Sequence, residues 1–364
     1  MEVRLLPSDC QIGKTYGFDS RCGSVLSLPR DLAKTAGTDG WISIVLGWMA
    51  SMLLSLVIIR IMEKNPEHTI FELLSTYFGK WLGKGLGAVW IMFAAYSASL
   101  AMFATIHIIK IWIVQDIRNY ILMILFVIPI YMITKQGIRM IGLFAELVLM
   151  VTLWIPILLL FALKDIQWMY LFPIGKVGVF PILSTIKSTI YSFLGFELVF
   201  ILYPFLKDKK SASKGIVIAN SLSMIVYVMT TIACFIRFAP SEVTDYVYPV
   251  LNLLKVIRLP FMERLEIICL SFYLFMIFMT IIPYLYTAAL GISQLIGKQD
   301  HRNVLRILLF LWILLPFFFI PTSSQITQMA NLWGITGVYS AFVFPIFLWI
   351  YGWIFHFVRK EAKS

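Results

Sequence analysis

The sequence predicts a single all-α domain that crosses a membrane ten times and occupies the whole of residues 1–364. Of these residues, 60% are hydrophobic and only 13% are charged, about half the charged share of a typical soluble domain. The mean hydropathy is +0.88. About 218 apolar residues could fill about ten spans of about 20 residues each. This composition excludes an ordinary water-soluble enzyme.

The apolar segments recur from end to end with no soluble domain between them. Their lengths fit helices, because a membrane β-barrel would show segments of about ten residues with alternating sides. The ten segments form two five-helix halves, residues 12–163 and 180–357. We predict the spans at residues 12–29, 41–62, 85–109, 119–134, 139–163, 180–204, 215–238, 266–293, 304–320 and 333–357.

Basic residues predict the orientation of these spans. More of the 30 Lys and Arg residues fall in loops on the side of the N-terminus than on the other side. Because basic residues collect in cytoplasmic loops, both termini are predicted to be cytoplasmic. The same rule explains the net charge of +11 without a nucleic-acid partner, since no basic run is interleaved with aromatic residues outside the spans. The polar residues 1–10 do not have the pattern of a cleavable signal peptide.

Sequence patterns for catalysis or metal binding are missing. The four cysteines show no C-x-x-C spacing, and the four histidines are too far apart for a local ligand pair. The sequence has no nucleotide-binding loop, H-E-x-x-H motif, nucleophile elbow or Gly-rich phosphate cradle. We therefore expect no enzymatic activity, no metal and no cofactor.

Two spans contain residues that interrupt helices. Span one holds Gly23 and Ser24 and ends with Pro29, and span six holds Gly195 beside Glu197. These are the first helices of the two halves, and a matched pair of interrupted helices indicates a transporter-type binding site where the halves meet. The alternative is that the glycines only allow close helix packing.

Glu197 would lie deep in the membrane, where a carboxylate costs about 2.5–3.5 kcal/mol on insertion scales. It could hold the interrupted helix open by accepting backbone N–H bonds, or it could meet a cationic group of a ligand. The alternative is a structural ion pair with Lys187, although ten residues of helix, about 15 Å, separate the two.

Other residues give weaker signals. Tyr96 and Ser97 on span three are candidates to face the centre of the bundle, and Trp333 begins the predicted span ten, where an interfacial tryptophan is expected. Gly79, Gly83 and Gly87 form a small-residue ridge that predicts helix packing.

Two connections also show apolar stripes at helical spacing. The stripe in residues 67–80 predicts an amphipathic helix on the inner surface. The stripe in residues 247–257 predicts a helix that caps the outer mouth.

Together these residues resemble the amino acid, polyamine and organocation transporter superfamily. The GSVLSLP break of the first span and the Gly-Phe-Glu break of the sixth carry that likeness. Within the superfamily, Leu26 to Pro29 followed by AGTDGW resembles the spore germination B subunits. The segments Tyr248 to Leu251 and Phe261 to Glu266 extend this resemblance over nearly the whole chain.

The resemblance implies a LeuT-like inverted repeat of five plus five helices, broken in helices 1 and 6. It also implies a germinant-sensing subunit that binds a small nutrient, typically an amino acid, and signals to A and C subunits in the spore inner membrane. The matched ligand-binding positions would be Gly23, Ser24 and Leu26 from span one and Gly195, Phe196 and Glu197 from span six. Our candidates Tyr96 and Ser97 complete the predicted site.

The first span departs from the family pattern, which is mostly apolar there. It carries Lys14, Asp19 and Arg21. Three explanations are open: a functional polar lining, a divergent copy of the gene, or a sequence error.

A second hypothesis for the function is also open. The chain could be a secondary active transporter that moves amino acids with protons or sodium ions.

Overall fold

The computed structural model describes residues 25–114, 116–161, 166–173, 175–257, 265–298 and 300–361. Within these ranges the chain is helical and contains no β-strand. Six helices are long and apolar enough to cross a membrane, and a bent pair that counts as one span makes seven. The predicted all-α membrane protein is therefore confirmed.

The helices are numbered here in chain order. They are α1 (Leu28–Ala36), α2 (Gly40–Glu63), α3 (Ile70–Trp112), α4 (Asn119–Thr134), α5 (Ile138–Thr152), α6 (Trp154–Phe161), α7 (Val179–Phe193), α8 (Val199–Leu202), α9 (Ala212–Arg237), α10 (Pro240–Asp245), α11 (Pro249–Val256), α12 (Leu265–Ile296), α13 (Arg302–Phe318), α14 (Ser323–Val338) and α15 (Phe344–Glu361). Short 3-10 turns lie at Gly37–Asp39, Trp168–Leu171, Phe196–Leu198, Tyr203–Phe205 and Lys209–Ser211, and a π-helical turn at Tyr339–Val343 joins α14 to α15.

Predicted spans two, three, four, seven, eight and nine each lie largely within one helix, whereas span five comprises α5 and α6 and span six is interrupted. The end of span one and the start of span ten also differ from the prediction. The predicted connection between spans one and two is largely helical, because α1 occupies Leu28–Ala36. Arg30 of α1 is buried and donates from Nε to the Thr244 carbonyl oxygen at 3.1 Å. This bond allows the charged residue to lie within a buried helix and not in a loop. The last span begins ten residues earlier than predicted, at Ser323, where Thr322 and Gln325 cap α14 reciprocally.

The amphipathic segment at the start of α3 is a helix, but its apolar stripe does not face lipid. Ile70, Leu73, Leu74 and Tyr77 are all buried in the protein core. At Gly79 the backbone takes φ +78°, and the helix axis changes direction there. Nothing lies within 4 Å of a Cβ placed on this residue. Gly79 therefore allows the backbone to turn, and our prediction that it is a helix-packing position is wrong.

Gly83 is a packing position, and we predict that it does not tolerate alanine. A Cβ there would lie 2.5 Å from Ser75 Cα and 2.7 Å from the Leu74 carbonyl oxygen, both backbone atoms that cannot rotate away. We expect Gly83→Ala to lower the free energy of unfolding by about 1–3 kcal/mol. Thermal unfolding of the purified chain measures this. Gly85→Ala is the matched control, because nothing lies within 4 Å of its Cβ and alanine favours a helix. Equal melting temperatures for the two variants would contradict the prediction.

The predicted outer stripe lies on α11 and is also buried. Val250, Leu251, Leu254 and Ile257 belong to an apolar cluster with residues of α1, α9 and α12. A larger cluster gathers residues of α2, α3, α4, α12 and α13. Phe193, the last residue of α7, belongs to the smaller cluster, and Phe196 belongs to the larger one. The interruption after α7 therefore lies where the two parts of the core meet.

Candidate functional site

The sixth predicted span is interrupted at Gly195. α7 ends at Phe193, and the chain resumes as helical turns from Phe196 to Phe205 after a bend of 46°. Gly195 has φ +126°, which side chains other than glycine rarely adopt. A Cβ at Gly195 would find no atom within 4 Å. Glycine is therefore needed for the backbone conformation, and the packing alternative is wrong at this position.

Glu197 stabilises the interruption. Its side chain is fully buried. One carboxylate oxygen, Oε2, accepts the Gly195 backbone N–H at 2.7 Å, and the other, Oε1, accepts the Tyr284 hydroxyl at 2.5 Å. Lys187 is exposed and does not pair with Glu197. The structure thus shows the predicted backbone role of Glu197 and excludes the predicted ion pair.

The backbone carbonyl groups of Ser192, Phe193 and Leu194 lie at the end of α7. The Ser192 carbonyl accepts a hydrogen bond from the Tyr227 hydroxyl of α9 at 2.8 Å. α7 ends at Phe193, so the Phe193 and Leu194 carbonyls lie beyond its regular ladder of hydrogen bonds. The last carbonyls of a helix have no partner within the helix, so these two oxygens are candidate acceptors for a ligand.

Aromatic side chains and close helix contacts surround the interruption. The Tyr284 ring lies 6.1 Å from that of Phe93, edge to face, and the Phe196 ring lies 5.6 Å from that of Phe342. A Cβ on Gly337 of α14 would lie 2.5 Å from Leu194 Cδ1. The Glu197 carboxylate and the end of α7 therefore lie among apolar side chains, where an electrostatic contact is stronger than in water.

The first predicted break is described only in part. Gly23 and Ser24, like Lys14, Asp19 and Arg21, lie outside the described residues. Residues 25–27 form a turn before α1 begins at Leu28. Leu26 is buried in the same apolar cluster as Phe193. The structure therefore places Leu26, at the end of the first break, in the same part of the core as the end of α7.

Tyr96 and Ser97 form hydrogen bonds with residues of α14. The Tyr96 hydroxyl donates to the Met329 carbonyl at 2.8 Å. Ser97 Oγ donates to the Phe93 carbonyl at 2.8 Å and accepts the indole N–H of Trp333 at 2.7 Å. Our interfacial interpretation of Trp333 is wrong, because this residue lies within α14 and bonds to another helix. As ligand contacts, Tyr96 and Ser97 stay predictions.

Sequence reasoning did not find Tyr227, Tyr284 and Trp333 as residues of this site. Each is a polar aromatic residue within an apolar span, and such residues seek a hydrogen-bond partner when buried. That signal marks them as candidates but does not say which helix they face. Among the described residues, no three His, Cys, Asp or Glu side chains converge as a metal site would require.

These observations define the class of protein: an all-helical membrane protein with an interrupted helix that is stabilised by a buried carboxylate. The family model described as "Spore germination protein", of the spore permease family, matches residues 22–327. The chain belongs to this family.

Several proteins with similar sequences are also described as spore germination proteins. The chain is 25% identical to spore germination protein GerQB of Bacillus cereus over 332 residues, which cover 90% of each chain. It is 28% identical to spore germination protein YndE of Bacillus subtilis over 295 residues, 80% of this chain and 81% of the relative. It is also 22% identical to spore germination protein B2 of B. subtilis over 343 residues, 91% of this chain and 90% of the relative.

Proposed function

We propose that this chain is the germinant-sensing membrane subunit of a spore nutrient receptor, with a small amino acid-like nutrient bound at the interruption of its sixth span. The observation that carries the proposal is the interruption itself, where α7 ends with the Phe193 and Leu194 carbonyls three to four residues before the buried Glu197 carboxylate. All three groups attract a positive charge. The family supplies the context of spore germination.

The proposed architecture is a LeuT-like inverted repeat of ten spans, with helices 1 and 6 broken. The bend at Gly195 supports the second break. α4 has 16 residues and α13 has 17, about 24–26 Å of helix. That length is close to the hydrocarbon thickness of about 30 Å, so both count as spans in this proposal.

The proposed ligand is a zwitterion with its two charges divided between the two breaks. Its ammonium would bond to the Phe193 and Leu194 carbonyls near Glu197 and Phe196. Its carboxylate would meet backbone N–H groups of the first break, at Gly23, Ser24 and Leu26, because an opened helix presents such donors. Tyr96 and Ser97 of α3 would hold α14 in place beside the bound ligand through their hydrogen bonds to that helix.

In this proposal the subunit acts without catalysis. It lies in the spore inner membrane with both termini in the cytoplasm, and it assembles with the A and C subunits of the receptor. A nutrient that binds one packing of the helices more tightly than another shifts the population toward it. The partner subunits would respond to that shift and start germination.

The alternative function is a proton- or sodium-coupled amino acid transporter, which the interrupted helix also favours. Uptake distinguishes the two. We expect vesicles that contain the purified chain alone to accumulate no labelled amino acid from a panel, with or without a proton or sodium gradient. The assembled receptor should bind at least one member of the panel, as measured by calorimetry. Gradient-driven uptake by the chain alone would contradict the sensor proposal, and empty vesicles are the control.

A further inference from the structure

A second group of charged residues lies far along the chain from the interruption, where α4 ends and α13 begins. The Arg306 Nε donates to the Tyr131 hydroxyl at 3.2 Å. The Lys135 Nζ lies 5.1 Å from the centre of the Tyr131 ring. The charge of Arg302 also acts on this tyrosine. Three cations therefore surround one neutral phenol.

Their charge is not balanced locally. Asp300 is the only acidic group, among the described residues, whose charge acts on Arg306. Its Oδ1 lies 4.0 Å from Arg302 Nε, and both side chains are about 60% exposed. Three cations against one carboxylate leave a local charge of +2. Like charges repel at such distances, so an anion that binds here gains free energy.

Lys135, Arg302 and Arg306 form a basic cluster at one end of α4 and α13. From this cluster an apolar surface, here called the seam, extends along the line where the two helices meet. At its far end the rings of Tyr120 and Phe317 stack with their centres 5.3 Å apart. Between the two ends, Ile128 and Phe310 are more than half exposed. Tyr120 is the second residue of α4, so these stacked rings mark the outer end of the seam in the ten-span arrangement. One leaflet of a bilayer contributes about 15 Å of hydrocarbon, so an acyl chain from the inner leaflet would cover the inner half of the seam, beside Ile128.

We propose that this seam is a binding site for one anionic phospholipid. The phosphate would lie against Lys135, Arg302 and Arg306, and an acyl chain would lie along the seam toward Tyr120 and Phe317. The proposal rests on the proposed ten-span arrangement, in which this end of α4 and α13 faces the cytoplasmic leaflet. Basic pockets between spans on that side are suited to anionic headgroups. Its test needs neither a germinant nor the other subunits, so it can fail independently of the proposed function.

Native mass spectrometry of the purified, delipidated full chain tests the site. We expect phosphatidylglycerol to be retained about tenfold more than phosphatidylcholine, and Lys135→Gln/Arg302→Gln/Arg306→Gln to remove this preference. The matched control, Lys207→Gln/Lys209→Gln/Lys210→Gln, removes three charges from another loop on the same predicted side and should keep the preference. Equal loss in both variants would show a general surface attraction and overturn the proposal.

A second measurement covers the case in which the triple variant misfolds. A photoreactive residue at Ile128, in the otherwise unchanged chain, should crosslink to phosphatidylglycerol in vesicles. The same residue at Leu183, an exposed position on α7, should crosslink much less. Displacement of the lipid by millimolar inorganic phosphate would indicate a free-anion site, and crosslinking to a protein partner at Ile128 would indicate an interface. Either result would overturn the lipid assignment.

Discussion

Replacing Glu197 with alanine is expected to destabilise the protein and abolish the proposed response to nutrient. The substitution leaves the Gly195 N–H and the Tyr284 hydroxyl without their acceptor. Each buried donor that loses its partner costs about 1–3 kcal/mol, so with two such donors the free energy of unfolding should fall by about 2–6 kcal/mol. Thermal unfolding of the purified chain measures the loss of stability. Germination of spores that carry the variant measures the loss of response.

Glu197→Gln separates the charge of this residue from its structural role. A glutamine can accept the Gly195 N–H through its carbonyl oxygen and donate from its amide to the Tyr284 hydroxyl oxygen, so both contacts survive. We expect its stability to fall by no more than about 1 kcal/mol. The ammonium group of the proposed nutrient would lie near the Glu197 charge, and opposite charges attract more strongly in a buried site than in water, so affinity for an ammonium-bearing nutrient should fall about 10- to 100-fold.

Tyr284→Phe is the matched control for the glutamine variant. It removes one donor to the carboxylate but keeps the carboxylate and the aromatic ring, so binding should change less than in Glu197→Gln. If the glutamine variant binds nutrient as tightly as the unchanged chain, Glu197 is only a structural support of the interruption. The proposed contact with the ammonium group would then be wrong.

The interruption at Gly195 could be predicted because its signal is local. A carboxylate deep in a membrane span is unusual because it is costly there, and a glycine two residues before it lets the backbone bend. The structure adds the reason for the spacing: the Glu197 side chain reaches back two residues to the Gly195 N–H. Local sequence is sufficient for such a contact.

The partners of the interruption could not be predicted because they depend on tertiary structure. Tyr284 is 87 residues from Glu197, and Trp333 is 236 residues from Ser97. Helical periodicity says which residues share a face, but it does not say which helices meet. Arg30 shows the same limit, because its bond to the Thr244 carbonyl lets a charged residue lie buried in a helix that polarity predicts to be a loop.

Replacing Gly195 with valine is expected to straighten the sixth span and remove the proposed nutrient site. There is room for the side chain, because no atom lies within 4 Å of the Cβ position, but φ +126° is forbidden to a β-branched residue. Holding a side chain in such a region costs about 1–3 kcal/mol. The backbone can relieve this cost by continuing α7 as a regular helix, in which the Phe193 and Leu194 carbonyls would bond within the helix.

The bend and the binding should therefore be lost together in the Gly195 variants. Spin labels on either side of residue 195 report the 46° bend as a distance, and calorimetry reports nutrient binding by the assembled receptor. Gly195→Ala, which strains the same φ with a smaller side chain, should show a weaker form of both effects if valine prevents folding. Gly215→Ala in α9 is the control, since its Cβ also meets no atom within 4 Å and its φ is not positive. A straightened span that still binds nutrient would show that the interruption is a feature of the fold and not the site itself.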